Sequence, residues 1–163
     1  MKTLDQWLDE YAQSHQNPTN KLFHWICVPL IVFAIAGLLR TIPIGTEWLN
    51  VTTVIGVLAL LYYAALSLRL ALGMTLVFVV LYGILEAVFF AAGHAALPVM
   101  VPLMVAIFVL AWIGQFIGHH IEGARPSFFK DVQFLLIGPL WLLAHVFRRL
   151  HWLQAAPASG ARV

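Results

Sequence analysis

Residues 22–39 read LFHWICVPLIVFAIAGLL, a run without Lys, Arg, Asp or Glu. An apolar run of this length is typical of a transmembrane helix, because about 20 residues rising 1.5 Å each cross roughly 30 Å of hydrocarbon. Three further runs, 48–66, 74–92 and 99–117, are equally apolar, and Glu86 is the one charged residue in them. Short connections between the runs favour antiparallel neighbours. The sequence therefore predicts an all-α, polytopic membrane bundle with four spans.

The composition of the whole chain agrees with a membrane protein. Of 163 residues, 62% are hydrophobic and 10% are charged, whereas charged residues make up about 25% of a typical soluble domain. The formal net charge of +2, with no cluster of basic and aromatic residues, gives no indication of a nucleic-acid partner. The single cysteine, Cys27, excludes an internal disulfide and a paired-cysteine metal site.

A fifth apolar segment, 132–147, is slightly short for a span and contains Gly138 and Pro139 near its middle. Proline removes a backbone donor from a helix, so we interpret this segment as broken or re-entrant, with a spanning or interfacial helix as open alternatives. The chain 1–163 then forms one integral-membrane domain. Its parts are an N-terminal segment (1–20), four spans (22–117), a metal-site segment (118–131), the fifth apolar segment (132–147) and a tail (148–163).

The basic residues predict the orientation of the chain, because Lys and Arg are enriched in cytoplasmic loops. With the N-terminus in the cytoplasm, Arg40 is the one basic residue in the connections that faces outward. The cytoplasmic set then comprises Lys2, Lys21, Arg69, Arg125 and Lys130. If the fifth segment does not cross, both termini are cytoplasmic. We expect an integral protein of the bacterial inner membrane.

Four histidines fall on one predicted face of the membrane. His15 and His24 flank the start of the first span, and His119 and His120 follow the fourth. Between the first pair, residues 17–20 read NPTN, which predicts a helix break and a new helix N-terminus. Such a break lets both rings turn toward one centre. We interpret the four histidines as a candidate metal site; the alternative is that they are polar anchors at the lipid headgroups.

Local spacing adds two polar candidates to this site. His119 and Glu122 are three residues apart, so a helix places them on one face, and an imidazole with a carboxylate suits iron, manganese or zinc. Gln115 lies one turn before His119 and either orients a ligand or binds a neighbouring helix. Glu122 and Gln115 are therefore candidate catalytic residues. His94 is predicted on the opposite side of the membrane, outside this set.

Two titratable residues inside the apolar segments have competing interpretations. Glu86 has no evident partner at its own depth, and an acid in a span is a functional candidate by default. We favour a structural hydrogen bond between helices for it. For His145 we also favour a structural role, with support of a metal ligand as the alternative.

Two stretches resemble the motifs of a known family, the 2-hydroxy fatty acid dioxygenases. The first is 15–24, HQNPTNKLFH, followed by Pro29, and the second is 115–119, QFIGH, continuing through Glu122 to Arg125 and Pro126. The resemblance extends over about 11–147. It implies a small membrane enzyme that shortens 2-hydroxy fatty acids by one carbon, with O2 and a fatty-acyl substrate in contact with membrane lipid.

Carried over by position, the resemblance implies that His15, His24 and His119 serve an Fe(II) centre. His120 has no matched position, and the spacing of Glu122 from the histidine varies in the family. A 2-hydroxy acid offers a hydroxyl and a carboxylate as chelating groups. Arg125 or Lys130 would attract that carboxylate, unless both are ordinary positive-inside residues.

Two other functions stay open from the residues alone. One is a non-enzymatic lipid-binding or scaffold protein whose histidines are interfacial, and the other is a b-type haem protein with axial histidines. The sequence indicates neither the oligomeric state nor the length of the acyl chain.

Overall fold

A computed structural model of the protein describes residues 2–93, 96–129 and 131–153. Within these ranges the chain is helical and contains no β-strand, which confirms the all-α class. The helices are α1 (Leu4–Gln13), α2 (Pro18–Arg40), α3 (Val51–Leu66), α4 (Leu68–Ala92), α5 (Ala96–Glu122) and α6 (Phe134–Arg149), with a 3-10 turn at Ser127–Phe129.

Three of these helices, α2, α4 and α5, are long and apolar enough to cross a membrane. Large apolar side chains on them face outward, as a lipid-facing surface requires; examples that are more than half exposed are Leu22, Leu72, Leu76 and Leu110. These features are consistent with a membrane protein. The predicted spans 22–39, 74–92 and 99–117 each fall within one of the three helices.

The second predicted span, 48–66, is not confirmed as a span. Helix α3 has 16 residues, which is about 24 Å at 1.5 Å per residue and shorter than the hydrocarbon core. It begins at Val51 because Asn50 caps it: the Asn50 side chain accepts from the Thr53 N–H, and the Thr53 hydroxyl accepts from the Asn50 N–H. Trp48 lies before the helix and is 82% exposed.

Among the described helices, α2 and α5 form the most extensive pair. Glycines of α5 allow these two helices to approach closely. A Cβ atom placed on Gly114 would lie 2.6 Å from the sulfur of Cys27, and one on Gly118 would lie 2.5 Å from Oδ1 of Asn20. Small residues four apart allow two membrane helices to pack this tightly. The C-terminal turns of α5 are thereby held against the first turns of α2.

The fifth apolar segment forms one continuous helix, so the expected break at Gly138 and Pro139 is wrong. Helix α6 runs through both residues, and proline removes one backbone donor from it without ending it. The buried face of α6 contacts α1, which fixes the path of the helix. Gly138 lies at this contact, since a Cβ atom there would be 3.0 Å from the Tyr11 hydroxyl.

Glu86 has a partner that the sequence did not indicate. Nε of Arg40 in the last turn of α2 donates to the Glu86 carboxylate at 2.6 Å. The Arg40 guanidinium also lies 5.5 Å from the centre of the Phe89 ring. Glu86 therefore joins α4 to the end of α2, which supports the structural interpretation of this residue.

Candidate metal centre

Three helix ends bring three histidines together. His15 follows α1, His24 lies in the second turn of α2, and His119 lies in the last turn of α5. Their exposed fractions are 1%, 1% and 5%. One ring nitrogen from each lies within 4.8 Å of the others. Residues from distant parts of the chain thus form a buried group that is able to hold one metal ion.

The break between α1 and α2 turns the first two rings toward each other. Helix α1 ends at Gln13 and α2 starts at Pro18, with the Asn17 side chain accepting from the Thr19 N–H. The ring centroids of His15 and His24 are 4.2 Å apart. This confirms the helix break and the new N-terminus that the sequence predicts at residues 17–20.

Backbone carbonyls determine which ring nitrogens are free. Nδ1 of His15 lies 2.5 Å from the Tyr11 carbonyl oxygen, and Nδ1 of His24 lies 2.9 Å from that of Asn20. A carbonyl oxygen only accepts, so each Nδ1 carries the proton and donates it. In the neutral rings both Nε2 atoms then have lone pairs, and they face each other at 2.8 Å. A cation bound between the two Nε2 atoms would satisfy both lone pairs. A hydrogen bond from Nδ1 to a backbone carbonyl is also common for histidines that bind a metal.

The third ring completes a set of imidazole donors. The centroid of His119 lies 4.9 Å from that of His15 and 5.0 Å from that of His24. Nδ1 of His119 is buried and has no hydrogen-bond partner among the described residues. Neutral imidazoles suit zinc, copper, iron and nickel, and three of them leave open coordination positions. The donor set therefore fits a transition metal.

The same distances do not fit a b-type haem between His15 and His24. Two axial nitrogens must lie about 4 Å apart, twice a metal–nitrogen bond of roughly 2.0–2.1 Å. The two Nε2 atoms are 2.8 Å apart, which leaves no room for the porphyrin plane between the rings.

Burial keeps His15 in the form that binds metal. Burial, reinforced by the neighbouring His24, lowers the pKa of His15 to about 3. The ring is therefore neutral at neutral pH, and only a neutral imidazole offers a lone pair to a metal ion. The Tyr11 ring stacks on His15 with a centroid distance of 4.0 Å, and it shields this side of the site.

Glu122 holds the protein backbone around the histidines. One carboxylate oxygen accepts from the N–H of Gln16 at 2.7 Å. The other accepts from the N–H of Asn17 at 2.9 Å and from the side-chain amide of Asn20 at 3.0 Å. Glu122 thereby ties the end of α5 to the break between α1 and α2. It is not among the residues whose ligand atoms converge.

A family model described as 2-hydroxy-palmitic acid dioxygenase Mpo1-like matches residues 1–150. The chain belongs to the Mpo1-like family. Neither the curated proteins nor the solved structures contain a match to it. The family confirms the resemblance to the 2-hydroxy fatty acid dioxygenases, and its description implies dioxygenase activity on a 2-hydroxy fatty acid.

The other polar residues that the sequence of this Mpo1-like protein suggested for the site differ in how deeply they are buried. Gln115 is buried beside His24 and His119, and its Nε2 atom has no hydrogen-bond partner among the described residues. His120 is exposed and lies outside the convergent group. Arg125 is exposed in the segment after α5. The predictions for His94 and Lys130 concern positions outside the described residues.

His145 lies in α6, away from the three convergent histidines. Its ring centroid is 6.0 Å from that of Trp25 and 6.2 Å from that of Trp141. The contact with Trp25 joins α6 to α2, whereas Trp141 lies one turn before His145 on α6 itself. Both contacts support the structural interpretation.

Two residues that support the site were not singled out from the sequence. Tyr11 contributes its carbonyl and its ring to His15. Asn20 is fully buried; its carbonyl accepts from His24, and its side-chain amide donates to Glu122 and to the Ser14 carbonyl. One feature of the sequence could have pointed to Asn20: it lies inside the 15–24 motif, one turn before His24.

Replacing Glu122 with Gln is expected to weaken metal binding without changing its stoichiometry. The amide oxygen keeps one acceptor while the charge and the second acceptor oxygen are lost, so the break between α1 and α2 is held less firmly. Loss of such support typically lowers metal affinity about 10–100-fold. Titration of the metal-free protein with Fe(II) under anaerobic conditions measures the affinity and the number of ions bound.

Glu10→Gln is the matched control, because Glu10 lies on α1 and pairs only with the exposed Lys2 among the described residues. Unchanged affinity in Glu122→Gln would show that the three hydrogen bonds do not position the histidines. A loss of binding that saturating iron does not restore would instead make Glu122 a ligand.

Proposed function

We propose that this protein is a membrane-bound, Fe(II)-dependent dioxygenase that removes one carbon from 2-hydroxy fatty acids. The reaction balances when C1 leaves as CO2, C2 becomes the new carboxyl carbon, and O2 accepts the four electrons, which yields one molecule of water. The observation that carries the proposal is the buried group of His15, His24 and His119, in which two Nδ1 atoms are held by backbone carbonyls. The family description supplies the substrate class.

In this proposal the three histidines hold the iron and leave positions for substrate and O2. Iron with nitrogen ligands and open positions is the usual arrangement for oxygen activation without haem. When bound, the metal supplies the reaction with O2 that amino-acid side chains do not perform. The protein contributes ligand orientation, because Tyr11 and Asn20 fix the ring tautomers of His15 and His24.

Gln115 is the proposed contact for the substrate head group. Its buried Nε2 lies beside His24 and His119 without a partner in the described part of the chain. An amide N–H there can donate to the carboxylate or the 2-hydroxyl, which orients the acid at the site. Arg125 and Lys130 are proposed to attract the carboxylate from solution.

The proposal also includes the membrane location. A fatty acid partitions into lipid, and three helices in the described part of the chain are long and apolar enough to reach across a bilayer. We propose the bacterial inner membrane with both termini in the cytoplasm, from the distribution of Lys and Arg. The histidines then lie at the cytoplasmic side.

The reaction is tested by mass spectrometry of purified, Fe(II)-loaded protein given 2-hydroxyhexadecanoic acid and ¹⁸O₂. We expect pentadecanoic acid that carries ¹⁸O in its carboxyl group, and no product under anaerobic conditions. Absence of any shortened acid, with iron demonstrably bound, would contradict this substrate. A shortened acid without ¹⁸O would contradict dioxygenase chemistry.

A further inference from the structure

An apolar cavity opens directly from the histidine group. It has a volume of about 180 Å³, and its polar end is formed by His24, His119 and Gln115. The remaining lining comes mainly from apolar side chains of α2, α5 and α6, including Val28, Phe108 and Trp112. A dry cavity of roughly 150 Å³ is already large enough to bind benzene.

A second cavity lies beside the first, between α2, α3, α4 and α6. It has a volume of about 210 Å³. The two cavities meet at residues that line both, which are Val32, Ile35, Leu135 and Pro139. We therefore treat them as two lobes of one passage: a histidine lobe and a deep lobe.

The polar groups of the deep lobe are already occupied. The hydroxyl of Thr52 donates to the Ala36 carbonyl, and that of Tyr63 donates to the Leu136 carbonyl. The Tyr82 hydroxyl accepts from the side-chain amide of Asn50. In the histidine lobe, by contrast, Nε2 of Gln115, Nδ1 of His119 and Nε1 of Trp112 are buried without a hydrogen-bond partner among the described residues. Buried polar atoms require partners, so the passage suits a molecule with one polar end and a long apolar remainder.

The length of the passage follows from α2, which lines both lobes. Its lining residues begin at His24 and end at Leu39. Fifteen residues at 1.5 Å each give about 22 Å. This is most of the roughly 30 Å thickness of a bilayer hydrocarbon core. The passage is therefore long enough to hold a single extended acyl chain.

We propose that the two lobes bind the acyl chain of one substrate molecule, with its carboxyl end at the histidines and its methyl end in the deep lobe. The identity of the head group rests on the proposed function. The position of the chain rests on the geometry of the passage. The deep lobe then sets the longest chain that the protein accepts.

Ala59 provides a way to fill the deep lobe. It lies on α3, lines this lobe and does not line the histidine lobe. Ala65 is on the same helix but is exposed and lines neither lobe. Ala65→Leu and Ala65→Trp are therefore matched controls for Ala59→Leu and Ala59→Trp, with the same change of size at an exposed position.

The test uses 2-hydroxyhexadecanoic acid with a photoreactive diazirine at its methyl end, irradiated with the full-length protein in lipid vesicles. Peptide mapping should place the label on deep-lobe residues of α3 and α4, such as Leu60, Phe78 and Leu81. An excess of unlabelled 2-hydroxy acid should remove the label. Filling the lobe should reduce this labelling by about tenfold or more in Ala59→Trp, less in Ala59→Leu, and not in the Ala65 variants.

Label spread over the outward faces of the helices, and not displaced by competitor, would overturn the proposal and leave these surfaces as ordinary lipid contacts. Equal labelling of Ala59→Trp and Ala65→Trp would overturn it as well. Because labelling needs no turnover, the two proposals fail separately. Specific deep-lobe labelling without a shortened product would contradict the reaction alone, whereas ¹⁸O-labelled product with diffuse photolabelling would contradict the acyl passage alone.

Discussion

Hexadecanoic acid is expected to be inert under conditions in which 2-hydroxyhexadecanoic acid is shortened by one carbon. If His15, His24 and His119 hold the proposed iron, the unhydroxylated acid would offer it only a carboxylate, whereas the 2-hydroxy acid would offer a carboxylate and a hydroxyl. A site that depends on a polar contact can reject an analogue lacking it by roughly 10⁴-fold or more. We expect a difference of this size in kcat/KM, measured by oxygen consumption and by mass spectrometry of the product.

The control for this comparison is binding of the unhydroxylated acid. Its apolar chain is identical, so it should still enter the passage and inhibit competitively. Comparable turnover of the two acids would contradict a role for the 2-hydroxyl in binding the metal. If the unhydroxylated acid did not bind at all, the difference in kcat/KM between the two acids would come from binding to the passage rather than from the reaction at the metal.

His119→Ala is expected to abolish turnover, whereas His120→Ala should keep it within about twofold of the unsubstituted protein. The two residues are neighbours in the sequence, but His119 is buried among the convergent nitrogens and His120 is exposed. Loss of supporting residues around a metal already costs about 10–100-fold, and loss of one of three ligands is expected to cost at least as much. His15→Ala and His24→Ala should behave like His119→Ala.

Initial rates of the His15→Ala, His24→Ala, His119→Ala and His120→Ala variants at saturating Fe(II) provide the measurement. Helical content by circular dichroism is the check on folding. Equal loss in His119→Ala and His120→Ala would contradict the three-histidine site. Full activity in His15→Ala would show that His15, which follows α1, is not a ligand and that His24 and His119 are the only two of the three that bind the metal.

The residues alone predicted a group of four histidines, and three of these, His15, His24 and His119, converge in the structure. Two local signals led to this prediction. Residues 17–20 indicate a helix break, which allows His15 and His24 to face one centre. The length of the apolar runs then indicates that His119 returns to the same side of the bundle. The i, i+3 spacing of His119 and Glu122 correctly placed the carboxylate near this region. It could not show what the carboxylate binds, since its partners are more than a hundred residues away: the backbone N–H groups of Gln16 and Asn17 and the side-chain amide of Asn20.

Other features depend on contacts between helices, which a single apolar pattern does not encode. The pairing of Glu86 with Arg40 joins residues 46 positions apart. Continuity of α6 through Pro139 depends on its packing against α1, and the start of α3 depends on the Asn50 cap. The two cavities are also a product of packing. Apolar residues that line a cavity and those that fill a core look alike in sequence.

The central claim is that His15, His24 and His119 bind one iron without haem. Elemental analysis and an absorption spectrum of purified protein, unsubstituted and with all three histidines replaced by alanine, test it most directly. We predict one iron per chain without a Soret band in the unsubstituted protein, and no bound iron in the triple variant. Iron retained by the triple variant, or a Soret band in the unsubstituted protein, would contradict it.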